Sequence, residues 1–544
     1  MVLDISINGK LSIDDAFLID SIAPTIIENY NRYIGNLISD NKIKGHGLLL
    51  SLLSRDPRTT PMLGMLCGIS LLETKIDNGA APDVVVVDYD EEAQIVQQVL
   101  DKFSQNNVKI HVNKNRNALK AIVFNIIKTL YVVASNFLWF KLSGLKNVPS
   151  SDIMFIDTFV FPHSFGKDYS FVDRYYAGES SYFNSDDSEC WYAPTLVGVH
   201  WPTDYFKIVS SIRKCADNFI LQEVWLTLAD YIYAFKISLI TPLRIKKINL
   251  YCGYDVSSYV SKQLKFEILS AALFKNICKY RFVYRLSRHN IKISTILDWN
   301  ENQSVDKALV LGCKKYYPEI PVVGYRGFIA SSYMASQIPT AYEFKLGVVP
   351  DVLAIISPVC KRRIEQSCSQ FPLIKAPAFR FSHLLQRIRS INKKQNVVFV
   401  ALPFSVKDSI HIIDMVLACD LAGRVRFIIN HHPVYSKKQF LKLVPKYNSE
   451  IFEHSEKKIT EYFSRMSVLI SGASSVCIEA VSLGIYVAVI GNRYGVTDNP
   501  IPLNVEKKLW KIFYDHEQLQ EFINDAINND HIAVGCDKLF YSVI

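Results

Sequence analysis

The sequence predicts an α/β fold: two doubly wound, parallel-sheet domains facing a cleft, with a helical elaboration inside the first. Three observations predict it. Apolar runs of strand length, such as IMFIDTFVF at 153–161 and NVVFVAL at 396–402, alternate with helical patterns. The runs end in small or polar residues, as strands do when their carboxyl ends present a pocket. The chain has 544 residues, too many for one hydrophobic core.

Taken in order, residues 1–80 read as helix and loop, with apolar residues three and four apart in GHGLLLSLLSRDPRTTPMLGMLCGISLLET. VVVVD at 84–88, the helical EEAQIVQQVLDKFSQNN and VKIHV make a βαβ unit. Strands follow at 153–161 and 195–200, then long helical patterns over 203–290. KISTILDW returns to strand, ENQSVDKALVLGCKKYY to helix and PVVGYRGF to strand, and PDVLAIIS at 350–357 closes the first domain. This assigns 1–375 to an N-terminal, acceptor-binding domain and 376–395, with its prolines and basic end, to a crossover. The second domain, 396–544, runs strand 396–402, helix 406–421, strand 425–429, helix 437–443, the helix-like KKITEYFSRM, strand 467–471, helix 475–483, strand 485–490 and a helical tail.

Composition narrows the function classes. Lys+Arg 61 against Asp+Glu 52 leaves a mild excess of +9 without a concentrated basic stripe, which argues against a nucleic-acid partner. The 11 cysteines form no CxxC pair, the pattern of free thiols in a reducing cytoplasm, and no metal-ligand spacing occurs. The N-terminus MVLDISINGKLSIDD is acidic where a secretory signal is basic, so the expected location is cytoplasmic. The stretch 121–140 is long enough to cross a bilayer, but Lys128 and two asparagines interrupt it. It reads as a buried helix or as a peripheral contact with the cytoplasmic face of the inner membrane.

The most chemical segment is 425–491. VRFIINHHPVY delivers His431, His432 and Pro433 after one strand, and VLISGASSVCIEAVSLG delivers Gly472, Ser474, Ser475 and Glu479 after another. A histidine, two hydroxyls and the N–H groups of a helix start suit a phosphate. Gly472 allows close backbone approach, Glu479 can accept a ribose hydroxyl, and Arg493 in the loop beyond the next strand can meet a phosphate or sugar carboxylate. The patterns GxGxxG after a strand, GxxxxGK[ST] and GxSxG are absent.

His432-Pro433 resembles the His-Pro motif of bacterial sialyltransferases and Kdo transferases of the GT-B type, and Ser474-Ser475 resembles their paired Ser/Thr motif. The segments IDTFVFPHSF and DWNENQSVDKAL are similar to those of bacterial surface carbohydrate biosynthesis proteins. The resemblance implies a GT-B-like fold of two Rossmann-like domains. It implies transfer of an acidic sugar, Kdo or another nonulosonic acid, from a CMP donor, with His432 and the serines on the phosphate. The partners are then the nucleotide sugar and an oligosaccharide or lipid-linked glycan acceptor, with no required cofactor and no metal.

An inverting transfer also needs a base for the acceptor hydroxyl. Asp157 and Glu301, each near a strand end, are the candidates, and the family's D/E-D/E-G base motif is absent. His163, Arg326 and Lys345 are candidates for holding the acceptor. Two other readings stand beside this one. One is a UDP- or GDP-sugar transferase or UDP-sugar epimerase using the same cleft. The other is a non-catalytic glycan-binding or assembly protein.

Overall fold

The computed structural model describes the chain except for residues 114–117, 142–143, 146–147, 177–188, 200–201, 332, 385–395, 422, 456, 530–538 and 542–544. Its strands are β1 (Val2–Asp4), β2 (Val84–Val87), β3 (Lys109–Val112), β4 (Ile153–Val160), β5 (Glu189–Leu196), β6 (Asn218–Phe219), β7 (Ile293–Trp299) and β8 (Val322–Arg326). They continue with β9 (Val352–Ile355), β10 (Leu373–Lys375), β11 (Val397–Ala401), β12 (Arg426–Asn430), β13 (Phe452–His454), β14 (Met466–Ser471), β15 (Tyr486–Ile490) and β16 (Trp510–Phe513).

These strands form three sheets: β1-β2-β3, β10-β9-β8-β7-β4-β5-β6 and β13-β12-β11-β14-β15-β16. All the strand pairs within them are parallel. Parallel strands with helices on both faces must be apolar on both faces. Every residue of MSVLIS in β14 and of YVAVI in β15 is accordingly buried. In each large sheet the first strand lies between the second and the fourth in chain order, so the order reverses between β4 and β7 and between β11 and β14. A crevice opens outside the carboxyl ends at such a reversal. The two doubly wound domains put these crevices on opposite sides of one cleft, a GT-B-like arrangement.

Several elements differ from the expectations. β1 pairs with β2, so the predicted βαβ unit belongs to a small sheet of its own, and the stretch 1–375 holds two sheets. Three residues were too few to stand out as a strand. The edge strand β6 lies inside the helical stretch 203–290, and β10 extends the sheet beyond 350–357. β13 pairs with β12, and the segment read as a helix near KKITEYFSRM is the short 3-10 turn Ile459–Glu461. The crossover is described only as far as Leu384, and 385–395 lie outside the described residues.

The small N-terminal lobe ties the large domains together. Arg55 Nη2 donates to Glu343 Oε2 at 2.8 Å, and Lys307 Nζ donates to Glu343 Oε1 at 2.6 Å, with all three side chains buried. Arg55 also donates to Asn31 Oδ1 and to the Ala335 carbonyl, both at 2.8 Å. On its other side the lobe meets the second domain: Leu11 and Arg493 exchange hydrogen bonds, and Thr497 N donates to Asp20 Oδ1 at 2.7 Å. After the last helix, Tyr541 N returns to the Ile356 carbonyl of the first large domain at 2.9 Å.

Burial alone raises the Glu343 carboxyl, but Arg55 and Lys307 overcome it and hold the group at about 2. A carboxyl lowered from 4.5 to about 2 by folding stabilises the native state above pH 4.5, and that contribution is lost as pH falls through this window. Glu343→Gln is expected to cost about 3–5 kcal/mol at pH 7, because it leaves two buried cations uncompensated. Urea unfolding should show the gap to wild type narrowing as pH falls below 4.5.

Candidate active site

On the donor side, β14 ends at Ser471 and leads through Gly472 and Ala473 to the helix Val476–Ser482. A Cβ at Gly472 would meet Ile412 at 3.7 Å and Pro403 at 3.8 Å, ordinary contacts, so packing does not demand glycine there. Ser475 is the N-cap residue, yet its hydroxyl makes no capping bond. It accepts instead from Arg380 Nη2 at 3.0 Å. Ser474 is half-buried beside it. Glu479, one turn on, has Oε2 2.8 Å from His383 Nε2.

Arg380 and His383 lie on the 3-10 turn Phe379–Leu384, at the start of the segment between the domains. The same segment is pinned to the first large domain through β8: Tyr325 Oη donates to the Pro377 carbonyl at 2.9 Å and accepts from Phe379 N at 3.3 Å. Sequence reading took this segment only as a basic crossover. The signal was the FRFSH pattern, two cationic residue types spaced by aromatics.

The two neighbouring histidines part company. His431 Nδ1 lies 3.0 Å from Tyr447 Oη and its Nε2 lies 3.1 Å from the Tyr435 carbonyl, with the ring stacked on Phe440. Both nitrogens are engaged in holding the loop, which corrects its assignment to the donor site. His432 Nδ1 accepts from Val434 N at 3.3 Å, which leaves the proton on Nε2 and makes that nitrogen a donor. Burial, then the Arg174 and His431 charges, lower its pKa. Pro433 sits in the turn closed by Tyr435 N on the His432 carbonyl at 3.1 Å, where its fixed φ suits the geometry. Arg493 Nε donates to the Leu11 carbonyl at 2.6 Å. The N-terminal lobe, invisible as a partner from sequence, thus claims this arginine for an interface.

On the opposite side, Asp157 is not offered to an acceptor. It is fully buried in β4, where Lys279 Nζ donates to its Oδ1 at 2.5 Å. Burial raises its pKa and Lys279 opposes the rise. A carboxylate so enclosed and paired is structural, which corrects its candidacy as base. Arg326 is fully buried too: it donates to the Gln337 carbonyl and, at 3.0 Å, to Asn300 Oδ1, so it fixes the loop after β7 rather than holding an acceptor. Lys345 is exposed at the end of the short helix Ala341–Lys345 and is not among the residues that converge.

Glu301 is among them. It follows β7 at the reversal point, where Trp299 Nε1 donates to its Oε1 at 3.1 Å and Gln303 Nε2 to its Oε2 at 2.8 Å. Its side chain keeps 21% of its surface exposed. His163 lies on the loop after β4, exposed and packed on Phe161, and burial together with Arg174 lowers its pKa. Tyr175 joins the two sides. Its ring centroid is 4.5 Å from that of Trp299. Burial, then the nearby Glu301 charge, push its hydroxyl up to about 12, while Arg380 and Arg174 oppose this. Tyr175 belongs to the aromatic stretch 169–192, of which 177–188 lie outside the described residues.

A cavity of about 280 Å³ opens against the N-terminal lobe, lined by Arg58 but not by Glu301. Ser6, Arg58, Tyr89, Tyr333 and Tyr494 line it, so the small lobe and both large domains contribute. Arg58 Nη2 stands 3.8 Å from Glu301 Oε2. Arg58, Arg174, Arg380 and His383 are the candidate site residues that the sequence did not single out. Among the described residues no group of three or more His, Cys, Asp or Glu is arranged to hold a metal ion.

No protein family and no curated protein matches the chain. Solved structures similar to it include Acinetobacter baumannii MurG, at 10% identity and TM-score 0.36, covering 70% of this chain and 91% of that one. Another is UDP-GlcNAc 2-epimerase from Neisseria meningitidis bound to UDP-GlcNAc, at 11% identity and TM-score 0.37, covering 70% and 95%. A third is the wall teichoic acid polymerase TagF, at 11% identity and TM-score 0.34, covering 76% and 89%.

The contrast between the carboxylates is measurable. Lys279→Ala should destabilise the protein by about 3–5 kcal/mol in urea unfolding, because it strands a buried charge. Glu301→Gln should change stability by less than about 1 kcal/mol.

Proposed function

We propose that this chain is an inverting glycosyltransferase that uses a nucleotide sugar. The observation that carries the reading is a chain of neighbours between the domains: Tyr175 lies near the charges of Glu301, Arg380 and Arg174, Arg380 donates to Ser475 Oγ at 3.0 Å, and Arg174 lies near His432. Glu301 is the general base. Trp299 and Gln303 fix its carboxylate, and its remaining lone pairs accept the proton of the acceptor hydroxyl. The deprotonated oxygen attacks the anomeric carbon as the bond to the nucleotide breaks on the far side, which inverts the centre. Charge then grows on the leaving phosphate. His432 Nε2–H, the serine hydroxyls and Arg380, already 3.0 Å from Ser475 Oγ, are the donors placed to take it. The acceptor, an oligosaccharide or lipid-linked glycan, enters beside Glu301, and Arg58, 3.8 Å from that carboxylate, connects this position to the tyrosine-lined cavity of the N-terminal lobe.

The reading from the His-Pro and Ser-Ser pairs makes the donor a CMP-linked acidic sugar. A second reading, a UDP- or GDP-linked donor, is favoured by Arg174 and Arg380: two guanidinium groups near one tyrosine suit two phosphates. An epimerase acting on a UDP-sugar would use the same donor side with no acceptor.

Titration of the purified chain with CMP, UMP and UDP decides among these. Saturable binding should weaken roughly tenfold or more in Arg380→Ala and Ser475→Ala, each of which removes a charge-assisted hydrogen bond. Glu301→Gln should keep nucleotide affinity and lose about 10²–10⁴-fold in transfer rate. CMP selectivity supports the acidic-sugar donor, and UDP selectivity supports the diphosphate donor. Folded protein that binds none of the three favours the non-catalytic reading.

A further inference from the structure

The helix Ala118–Asn136 turns its apolar residues the wrong way for a helix packed on a protein core. Leu119, Val123, Ile127 and Leu130, spaced four and three apart, form one exposed stripe, and Phe124 and Tyr131 form the next. Phe124 keeps 63% of its surface exposed. The inner face of the helix is mixed: Val132 is buried beside Thr129, Ser135 and Asn136. Asn125 Nδ2 donates to the Phe266 and Ile268 carbonyls at 3.1 and 3.2 Å, and buried Thr129 Oγ1 donates to the Leu269 carbonyl at 3.3 Å.

A second helix, Leu228–Ile240, behaves in the same way. Its Leu228, Ile232, Leu239 and Ile240 are exposed, and Leu243 follows just beyond its end. The helices are neighbours. Both pack on the helix Ala271–Arg288, and Leu269, which accepts from Thr129 of the first, donates its N–H to the Ser238 carbonyl of the second at 3.3 Å. Exposed Phe137, Leu138 and Phe206 add to the apolar residues of the two neighbouring helices, with Phe206 against Trp139. So many exposed apolar side chains on neighbouring elements mark an interaction site.

Charge identifies the partner. Leu119–Phe140 carries no Asp or Glu. The only acid in 228–250 is Asp230, which is buried and paired with Arg281 and Arg285. The exposed charges carried by 119–140 and 228–250 are all basic, Lys120, Lys128, Lys236, Arg244, Lys246 and Lys247, with the exposed acid Asp40 bonded to Asn249 at the far end. An apolar face with a basic border fits a bilayer surface of anionic lipid. The helix Leu119–Phe140 is long and apolar enough to cross a membrane. Yet a crossing helix would have to leave the polar contacts of Asn125 and Thr129 behind, whereas lying in the plane of the interface keeps them.

We propose that this two-helix face is a membrane-docking surface, which seats the chain peripherally on an anionic bilayer with both helices in the interfacial plane. The proposal does not depend on the glycosyltransferase reading. It is tested by co-sedimentation of the full chain with phosphatidylcholine vesicles, with and without about a third phosphatidylglycerol. Wild-type protein should bind the anionic vesicles much more tightly, and added salt should weaken that binding. The double variant Phe124→Glu, Ile127→Glu should bind roughly tenfold or more weakly, and Lys246→Gln, Lys247→Gln roughly fivefold or more weakly, with unchanged circular dichroism because all four positions are exposed. Leu503→Glu, equally exposed on the second domain, should bind as wild type does. Three results would overturn the proposal: wild-type protein that stays in the supernatant with both vesicles, a Phe124→Glu, Ile127→Glu variant that sediments like wild type, or a dimer that this variant splits without any lipid binding in the parent.

Discussion

Strand order reverses between β4 and β7 and again between β11 and β14, and the position of the site follows from these two reversals. Where neighbouring crossovers run to opposite faces of a sheet, no helix covers the carboxyl ends between them, and the loops there are free to carry polar side chains. Glu301 stands on one such loop, and Ser474 and Ser475 on another. The strands beneath them are buried on both faces, so the loops stand on rigid supports. A polar residue inside a strand has the opposite fate. Asp157 is one residue type and a few positions away from being a base, but inside β4 it requires Lys279 as a counter-ion.

The cleft is held by contacts that belong to neither sheet. Arg380 and His383 reach the donor loop and helix, while Pro377 and Phe379 are held by Tyr325 from the acceptor side. One short segment therefore registers the phosphate-suited serine against the domain that carries Glu301. The N-terminal lobe makes a second bridge, with the Arg55–Glu343–Lys307 cluster on one side and the Leu11–Arg493 exchange on the other. The clusters differ in character. The Glu343 group is sealed from water, whereas His383 and Glu479 keep 33% and 12% of their side-chain surface, so the linker contact is the more strongly screened of the two.

Much of the fold was legible because its signals are local. The long apolar runs of β4, β11, β14 and β15 could belong only to strands buried on both faces, and the helical periods between them set the alternation. The short strands β1, β6, β10, β13 and β16 were missed, the last inside the stretch read as a helical tail. Two to four residues carry no clear period, and their pairing is decided by the neighbour that accepts them. The site divides along the same line. His432 and the Ser474-Ser475 pair stood out because they follow strong strands. His431 matched its neighbour in sequence, and only Tyr447 and Tyr435, brought in by the fold, occupy its two nitrogens.

By itself, the sequence determined two doubly wound domains, the loops that end their strands and the residue types suited to a phosphate and a base. Tertiary structure decided which of those residues face the cleft. It took Asp157, Arg326 and Arg493 into buried or interface pairs, and it brought Arg58, Arg174, Tyr175, Arg380 and His383 in from distant segments. The physical reason is range. Hydrophobic periodicity is written within a dozen residues, whereas a charge finds its partner wherever the packed chain places one, here 122 residues away for Asp157 and Lys279 and 95 for Arg380 and Ser475.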